Sequence, residues 1–123
     1  MRKNSLFGIS PVIPVPDVAA AVDWYATALG FRREPLWGDP PTHGSANRDL
    51  VGIQFTKASD DWSSGGYPGS VYIFIDDAAA FADELAAGGV MISEPVEAKD
   101  YGMIEFSIHD LNGYRIVFGQ YAS

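Results

Sequence analysis

Apolar positions along the chain follow two periods. Short apolar runs at residues 9–15 and 71–75 read as strands. After each run comes an aspartate and then a helical stripe. Val18, Val22, Tyr25 and Leu29 follow Asp17, and Ala78, Phe81, Ala82 and Leu85 follow Asp77. A carboxylate at either aspartate suits the N-cap, where it accepts from amides that have no partner inside the helix. Gly30 and Gly88 stand where a helix C-terminus needs a residue tolerant of positive φ. Three strand-like runs then follow each helix, at residues 31–37, 45–48 and 50–57 and again at 90–98, 103–109 and 114–120. Asp110-Leu111-Asn112-Gly113 joins the last two as a turn. Residues 38–44 and 58–69 are longer loops rich in turn residues, the kind of segment that often carries binding.

The two halves are copies of one unit. A shift of 60 residues lays Asp17 on Asp77, Asp23 on Asp83 and Ser10 on Ser70. Three further residues in a loop then lay Gln54 on Val117, with Ile53 on Ile116 and Phe55 on Phe118. The pattern predicts an α+β fold in a single domain, residues 1–123, made of two βαβββ modules. The modules span residues 8–57 and 69–120 and are joined by a loop.

Strand alternation divides the faces. Ile13, Val15, Ile53, Phe55, Ile73, Ile116 and Phe118 form a set expected to pack under the helices. The opposite set faces inward: Ser10, Val12 and Pro14; Ser70, Tyr72 and Phe74; Gly52, Gln54 and Thr56; Arg115 and Val117. That lining is apolar and aromatic with scattered hydroxyl and amide groups, as small-molecule pockets are. Glu105 joins the inner set if Ile104, Phe106 and Ile108 pack outward. There it is a partner for a cationic ligand, a general base, or half of a salt bridge to Arg115. Trp37 and Trp62, with Tyr67 near, are candidates to stack on a flat ligand, or else they cover the sheet mouth or a subunit interface. Trp24, on the first helix, reads as packing.

Composition narrows the chemistry. The chain has no cysteine among its 123 residues, which removes disulfides and thiolate chemistry and suits the cytoplasm. Residues 1–7 read MRKNSLF, too short and polar for a secretory signal, and no apolar run approaches the about 20 residues of a membrane span. Sixteen acids against eight bases give a formal charge of −8, which disfavours a nucleic-acid partner. The charge attracts a cationic small molecule and equally serves solubility alone. His43, in a Pro/Gly loop, and His109, at a strand end, form no triad with a serine and an acid that spacing supports, and no phosphate cradle is present.

The run Val15-Pro16-Asp17-Val18-Ala19-Ala20-Ala21-Val22-Asp23-Trp24-Tyr25 and its ending in Leu29-Gly30-Phe31 resemble the first strand-to-helix signature of the vicinal oxygen chelate superfamily. Tyr101-Gly102-Met103-Ile104-Glu105-Phe106 followed by Asp110-Leu111-Asn112-Gly113 resembles its C-terminal signature. The superfamily holds glyoxalases, extradiol dioxygenases, fosfomycin resistance enzymes and bleomycin resistance proteins. The resemblance implies a curved mixed sheet around a central cavity with the helices outside, and a homodimer, with Leu6 and Phe7 as candidates to cross to the partner. In length, acidity and the Asp17–Val22 run, the chain is most similar to bleomycin resistance proteins, which bind a cationic glycopeptide drug between subunits without chemistry.

Metal-dependent members place a His, Gln or Glu on the inner face of the first and last strand of each module. The positions corresponding here are Ser10, Gln54, Ser70 and Val117. These are poor ligands for a divalent ion, so no metal and no cofactor is expected. The resulting expectation is a binding protein that sequesters a small organic ligand. Its ligand-binding residues would be Trp37, Gln54, Trp62, Ser70, Tyr72, Phe74, Glu105 and Arg115. The alternative is a lyase, isomerase or dioxygenase-like enzyme of the same superfamily, with Glu105 as its candidate catalytic residue. A third reading is an accessory domain whose cavity is closed by Tyr72 and Phe74.

Overall fold

Asp17 and Asp77 each adopt extended backbone and accept a 3.0 Å hydrogen bond from the amide three residues on, Ala20 and Ala80. In the computed structural model, which describes residues 4–63 and 67–123, these caps open helices α1 (Val18–Leu29) and α2 (Ala78–Ala87). The predicted loop at residues 58–69 and the segment 1–7 therefore lie partly outside the described residues. α1 buries Val18, Ala21, Val22, Tyr25 and Leu29, and α2 buries Ala78, Phe81, Ala82 and Leu85, the stripes expected from spacing. Gly30 ends α1 in the left-handed region at φ 71°. Gly88 does not do the same for α2. Its φ is −84°, and the left-handed turn falls one residue later at Gly89, φ 91°.

The strands are β1 (Val12–Val15), β2 (Arg32–Arg33), β3 (His43–Arg48), β4 (Val51–Lys57), β5 (Ser70–Phe74), β6 (Glu94–Ala98), β7 (Met103–His109) and β8 (Arg115–Tyr121). They form two four-stranded sheets, ordered β1-β4-β3-β2 and β5-β8-β7-β6. In each sheet the first and last strands of the module run parallel at one side, and the remaining pairs are antiparallel. The fold is α+β with one βαβββ module per sheet. β2 is shorter than the predicted run because only Arg32 and Arg33 pair with β3. β6 starts late because the Val90 amide turns back to the Leu85 carbonyl at the end of α2. His43, expected in a loop, is the first residue of β3, and its carbonyl accepts from the Trp37 amide, so the loop from Gly38 is a tight connection.

The outer faces carry the core. Val15, Ile53, Phe55 and Ile116 are fully buried, and Ile13, Ile73 and Phe118 nearly so, packed with the helix stripes. Phe106, Phe118 and Phe81 form an aromatic cluster under α2, with Phe118 centred 5.0 Å from each of the other two. Tyr25 plays the same part under α1, 5.1 Å from Phe55.

Reciprocal contacts stitch the modules. The β7–β8 turn of the second reaches α1 of the first, where Tyr25 meets Asp110. The end of β3 in the first reaches α2 of the second. There the Arg48 guanidinium lies 5.2 Å over the Phe81 ring while also donating to the Leu29 carbonyl. A third tie runs through Tyr114, whose hydroxyl donates 2.7 Å to the Pro14 carbonyl and accepts from the Trp62 indole at 3.0 Å.

Candidate functional site

The inner face of the second sheet concentrates polar and aromatic side chains. Tyr72 and Phe74 come from β5, Glu105 and Ser107 from β7, and Arg115, Val117 and Tyr121 from β8. Phe74 and Tyr121 stack nearly parallel, 12° apart with centroids at 5.6 Å, and Tyr72 packs beside Phe74 at 5.2 Å. Phe74 and Tyr121 are 60% and 71% exposed, so this is an open aromatic platform, and Tyr72 and Phe74 do not seal the face.

Beside the platform lies Glu105, only 7% exposed. Its two oxygens accept from two phenols, Tyr72 at 2.6 Å and Tyr101 at 2.8 Å. Tyr72 is partly exposed, and its hydroxyl end lies against the β8 backbone at Gly119. Burial of that end, and then the hydrogen bond and charge of Glu105, push the phenol well above the ordinary tyrosine range. The Glu105 bond is the leading cause of the same upward shift at Tyr101. Both phenols therefore stay protonated and act as hydrogen-bond donors to Glu105.

Arg115 does not pair with Glu105. Its guanidinium grips Glu94 of β6, at 2.6 and 2.9 Å to Oε1. The Ser107 hydroxyl donates to the same oxygen at 2.5 Å. That hydroxyl first, and then Arg115, hold the Glu94 carboxyl below the usual carboxylate range. The first sheet repeats the device with different chemistry, since Glu34 accepts from Arg32 and Asn47.

A cleft of about 850 Å³ runs where β1 and β5 approach each other. Ser10, Trp62, Tyr67, Ser70, Tyr72 and Tyr114 line it along with β1. Its size falls within the range of small-ligand sites. It brings together three of the expected ligand residues, Trp62, Ser70 and Tyr72. Tyr72 in turn connects it to Phe74 and Glu105. Gln54 sits on the first sheet opposite Val12 and Ser45 and does not itself line the cleft. Trp37 is 72% exposed beside His43, at the β3 end of the first module. Trp24 packs against the core and Tyr25, as a packing residue should.

The four positions expected from the resemblance to face a metal, Ser10, Gln54, Ser70 and Val117, do not fit one. Gln54 and Val117 occupy matching registers, opposite Val12 and Tyr72. Valine offers no donor atom. The Ser10 hydroxyl is engaged with the Gly52 carbonyl at 3.0 Å. Among the described residues no three His, Asp or Glu side chains converge. A divalent ion needs several hard donors, and this set supplies one amide and two neutral hydroxyls.

Tyr101, Tyr121, Glu94, Ser107 and Gly119 also lie at this face, through contacts with Glu105, Phe74 and Arg115 or through the β7–β8 register, and are not among the expected ligand residues. A sequence signal existed for Glu94, which falls on Glu34 under the 60-residue shift. Tyr121 shares the inner-face parity of Arg115 and Val117, one step past the expected strand end. Tyr101 opens the C-terminal signature run but lies outside any strand, in the turn before β7, so strand alternation gives it no face. His109, opposite Arg115 on β8, meets Ser93 at 2.8 Å through Nδ1.

A family model described as Glyoxalase/Bleomycin resistance protein/Dioxygenase superfamily matches residues 9–118. Among curated proteins, none matches the chain in sequence. Solved structures match it in fold. The bleomycin resistance determinant encoded on the transposon Tn5 is 17% identical with a TM-score of 0.81, covering 96% of this chain and 100% of that one. A bleomycin-binding protein complexed with bleomycin is 18% identical with a TM-score of 0.79, covering 94% and 98%. TioX from Micromonospora sp. ML1 is 18% identical with a TM-score of 0.75, covering 92% and 97%. No helix among the described residues is long and apolar enough to cross a membrane.

Proposed function

The chain belongs to the Glyoxalase/Bleomycin resistance protein/Dioxygenase superfamily, and from that membership we propose that it captures a small organic molecule and holds it without metal-dependent chemistry, as a drug- or metabolite-sequestering protein. The observation that carries this reading is the open Phe74–Tyr121 stack beside a carboxylate held by two phenols. A flat cation gains twice there, from the ring faces and from Glu105. The net charge of −8 adds long-range attraction for such a ligand. The fold likeness to a bleomycin-binding protein makes bleomycin the first drug to try.

The reading includes a homodimer in the cytoplasm. The aromatic platform is uncovered, and Leu6 and Phe7 are fully exposed, so a two-fold partner laid over these surfaces would turn an open face into a closed pocket. The ligand residues are then Trp62, Ser70, Tyr72, Phe74, Glu105 and Arg115 near the cleft. Trp37 and Gln54 contribute from the first module, whose inner face meets the partner's second module in such a pairing.

Calorimetric titration with bleomycin at low salt and at high salt tests the reading. Binding that weakens as salt rises is the expected result, because part of the attraction acts through screened charge. Absence of heat with every bleomycin-family drug removes the drug-specific version.

A second reading is favoured by Glu105 itself, an inner-face carboxylate beside the open aromatic platform, which suits a lyase or isomerase. Metal analysis of protein purified without chelators separates the two. Stoichiometric zinc, nickel, manganese or iron at the sheet centre would decide for the enzyme.

A further inference from the structure

Tyr72 and Glu105 stand on strands that do not touch, since β8 runs between β5 and β7. The phenol nevertheless reaches the carboxylate at 2.6 Å. The residue it crosses is Gly119, which lies opposite Glu105 on one side and beside Phe74 on the other. A Cβ added at Gly119 would sit 1.9 Å from the Tyr72 hydroxyl oxygen and 2.4 Å from Cζ, distances no packed atom tolerates. The backbone gives no other reason for glycine there. Gly119 is not among the positive-φ residues, and the β7–β8 register runs through it without a bulge. A glycine inside a strand costs stability and usually marks the close approach of another group. Here that group is the Tyr72 ring.

We propose that Gly119 is a positioning residue of the ligand site. By lacking a side chain it lets Tyr72 lie flat across β8, and Tyr72 then fixes the place and orientation of the Glu105 carboxylate. The proposal rests on reading this inner face as the binding surface. The corresponding places in the first sheet, found by register, hold Val12, Thr56 and His43 in place of Tyr72, Gly119 and Glu105. The arrangement therefore belongs to the second module, and the two halves of the duplication present different chemistry to a ligand.

A double-mutant cycle with a ligand-free readout tests the proposal. Urea unfolding and bleomycin titration are measured for wild type, Gly119→Ala, Tyr72→Ala and the double variant. Crystal structures of wild type and Gly119→Ala are compared without ligand. The expected structure of Gly119→Ala has Tyr72 swung off Glu105. Its expected affinity for bleomycin is about tenfold lower, the scale of one lost hydrogen bond to a charged group. In the Tyr72→Ala background the same substitution is expected to leave affinity unchanged and to stabilise the protein slightly, because the clash is gone and a strand glycine has been replaced. The proposal is overturned if Gly119→Ala keeps the Tyr72–Glu105 bond, or if it weakens the protein equally with and without the Tyr72 ring. If wild type binds no bleomycin, the drug reading fails, while the ligand-free structures and unfolding cycle still decide the positioning role.

Discussion

The hydroxyl of Tyr25 donates a 2.7 Å hydrogen bond to Oδ2 of Asp110, joining α1 of the first module to the β7–β8 turn of the second across 85 residues of chain. Both groups are buried, at 1% and 7% exposure. The other carboxylate oxygen caps the turn, accepting from the amides of Asn112 and Tyr114 at 2.9 and 3.0 Å. Tyr25→Phe keeps the ring in its packing against Phe55 and removes the donor. It leaves Asp110 with an unpaired oxygen in a buried site, so the expected loss is about 1–3 kcal/mol of stability. Urea denaturation reads it, and an unchanged midpoint would mean that water replaces the phenol without cost.

The same pair makes stability depend on pH. Burial is the largest influence on Asp110 and raises its carboxyl above the ordinary aspartate value, against the opposing hydrogen bonds. The folded state therefore holds its proton more tightly than the unfolded chain does. The resulting stabilisation is fully present below the unfolded-state value and is lost as pH rises through the folded-state value. Asp110→Asn lacks this titration. The difference in unfolding free energy, wild type minus variant, should fall as pH climbs through the range just above ordinary aspartate titration.

Glu94 has the opposite sign. Ser107 first, and Arg115 after it, lower its carboxyl. Its contribution is present above the unfolded-state value and is lost as pH falls through the folded one. Ser107→Ala removes the leading cause, so the Glu94 carboxyl carbon, followed by NMR, should titrate at higher pH in the variant. A titration that does not move would show that Arg115 alone sets it.

Arg48 is the mirror of Asp110, since it carries the contact from the first module to α2 of the second. It donates 2.7 Å to the Leu29 carbonyl and covers Phe81. Its ion pair with Glu84 is long at 3.9 Å and both side chains are open to water, so that pair adds little. Arg48→Lys loses the planar stack and the fork geometry, and the expected cost is about 1 kcal/mol. Glu84→Ala is expected to cost almost nothing in the same thermal melts, and a larger loss there would reverse the ranking.

Much of this fold is written in local signals. The capping aspartates, the helix stripes and the strand alternation all depend on neighbours within a few residues, and the structure places Asp17, Asp77, Phe55 and Phe118 accordingly. The site was legible only in its parity. Tyr72, Phe74 and Glu105 share a face as alternation requires, but the partner of Glu105 depends on which strands are neighbours. Arg115 lies opposite His109, four pairs further along the β7–β8 ladder from Glu105, where Glu94 reaches it first. Tyr101 approaches from a turn, and Gly119 matters through an atom it lacks. No periodicity reports either fact.

The aromatic platform supplies the sharpest separation of binding from folding. Phe74 and Tyr121 contact each other but stay largely exposed, so truncating either removes little apolar area from the core. Phe74→Ala and Tyr121→Ala should therefore melt within a few degrees of wild type. For a ligand stacked on the pair, each loss should cost about 0.5–1.5 kcal/mol of binding, or roughly two- to tenfold in Kd. Phe81→Ala is the opposing control, since Phe81 lies in the core cluster and its removal should cost about 3–5 kcal/mol of stability. If Phe74→Ala and Tyr121→Ala bind bleomycin as wild type does, while Glu105→Gln does not, the carboxylate rather than the rings holds the ligand. If all three bind normally, the ligand sits elsewhere, and the 850 Å³ cleft beside Trp62 becomes the place to probe next.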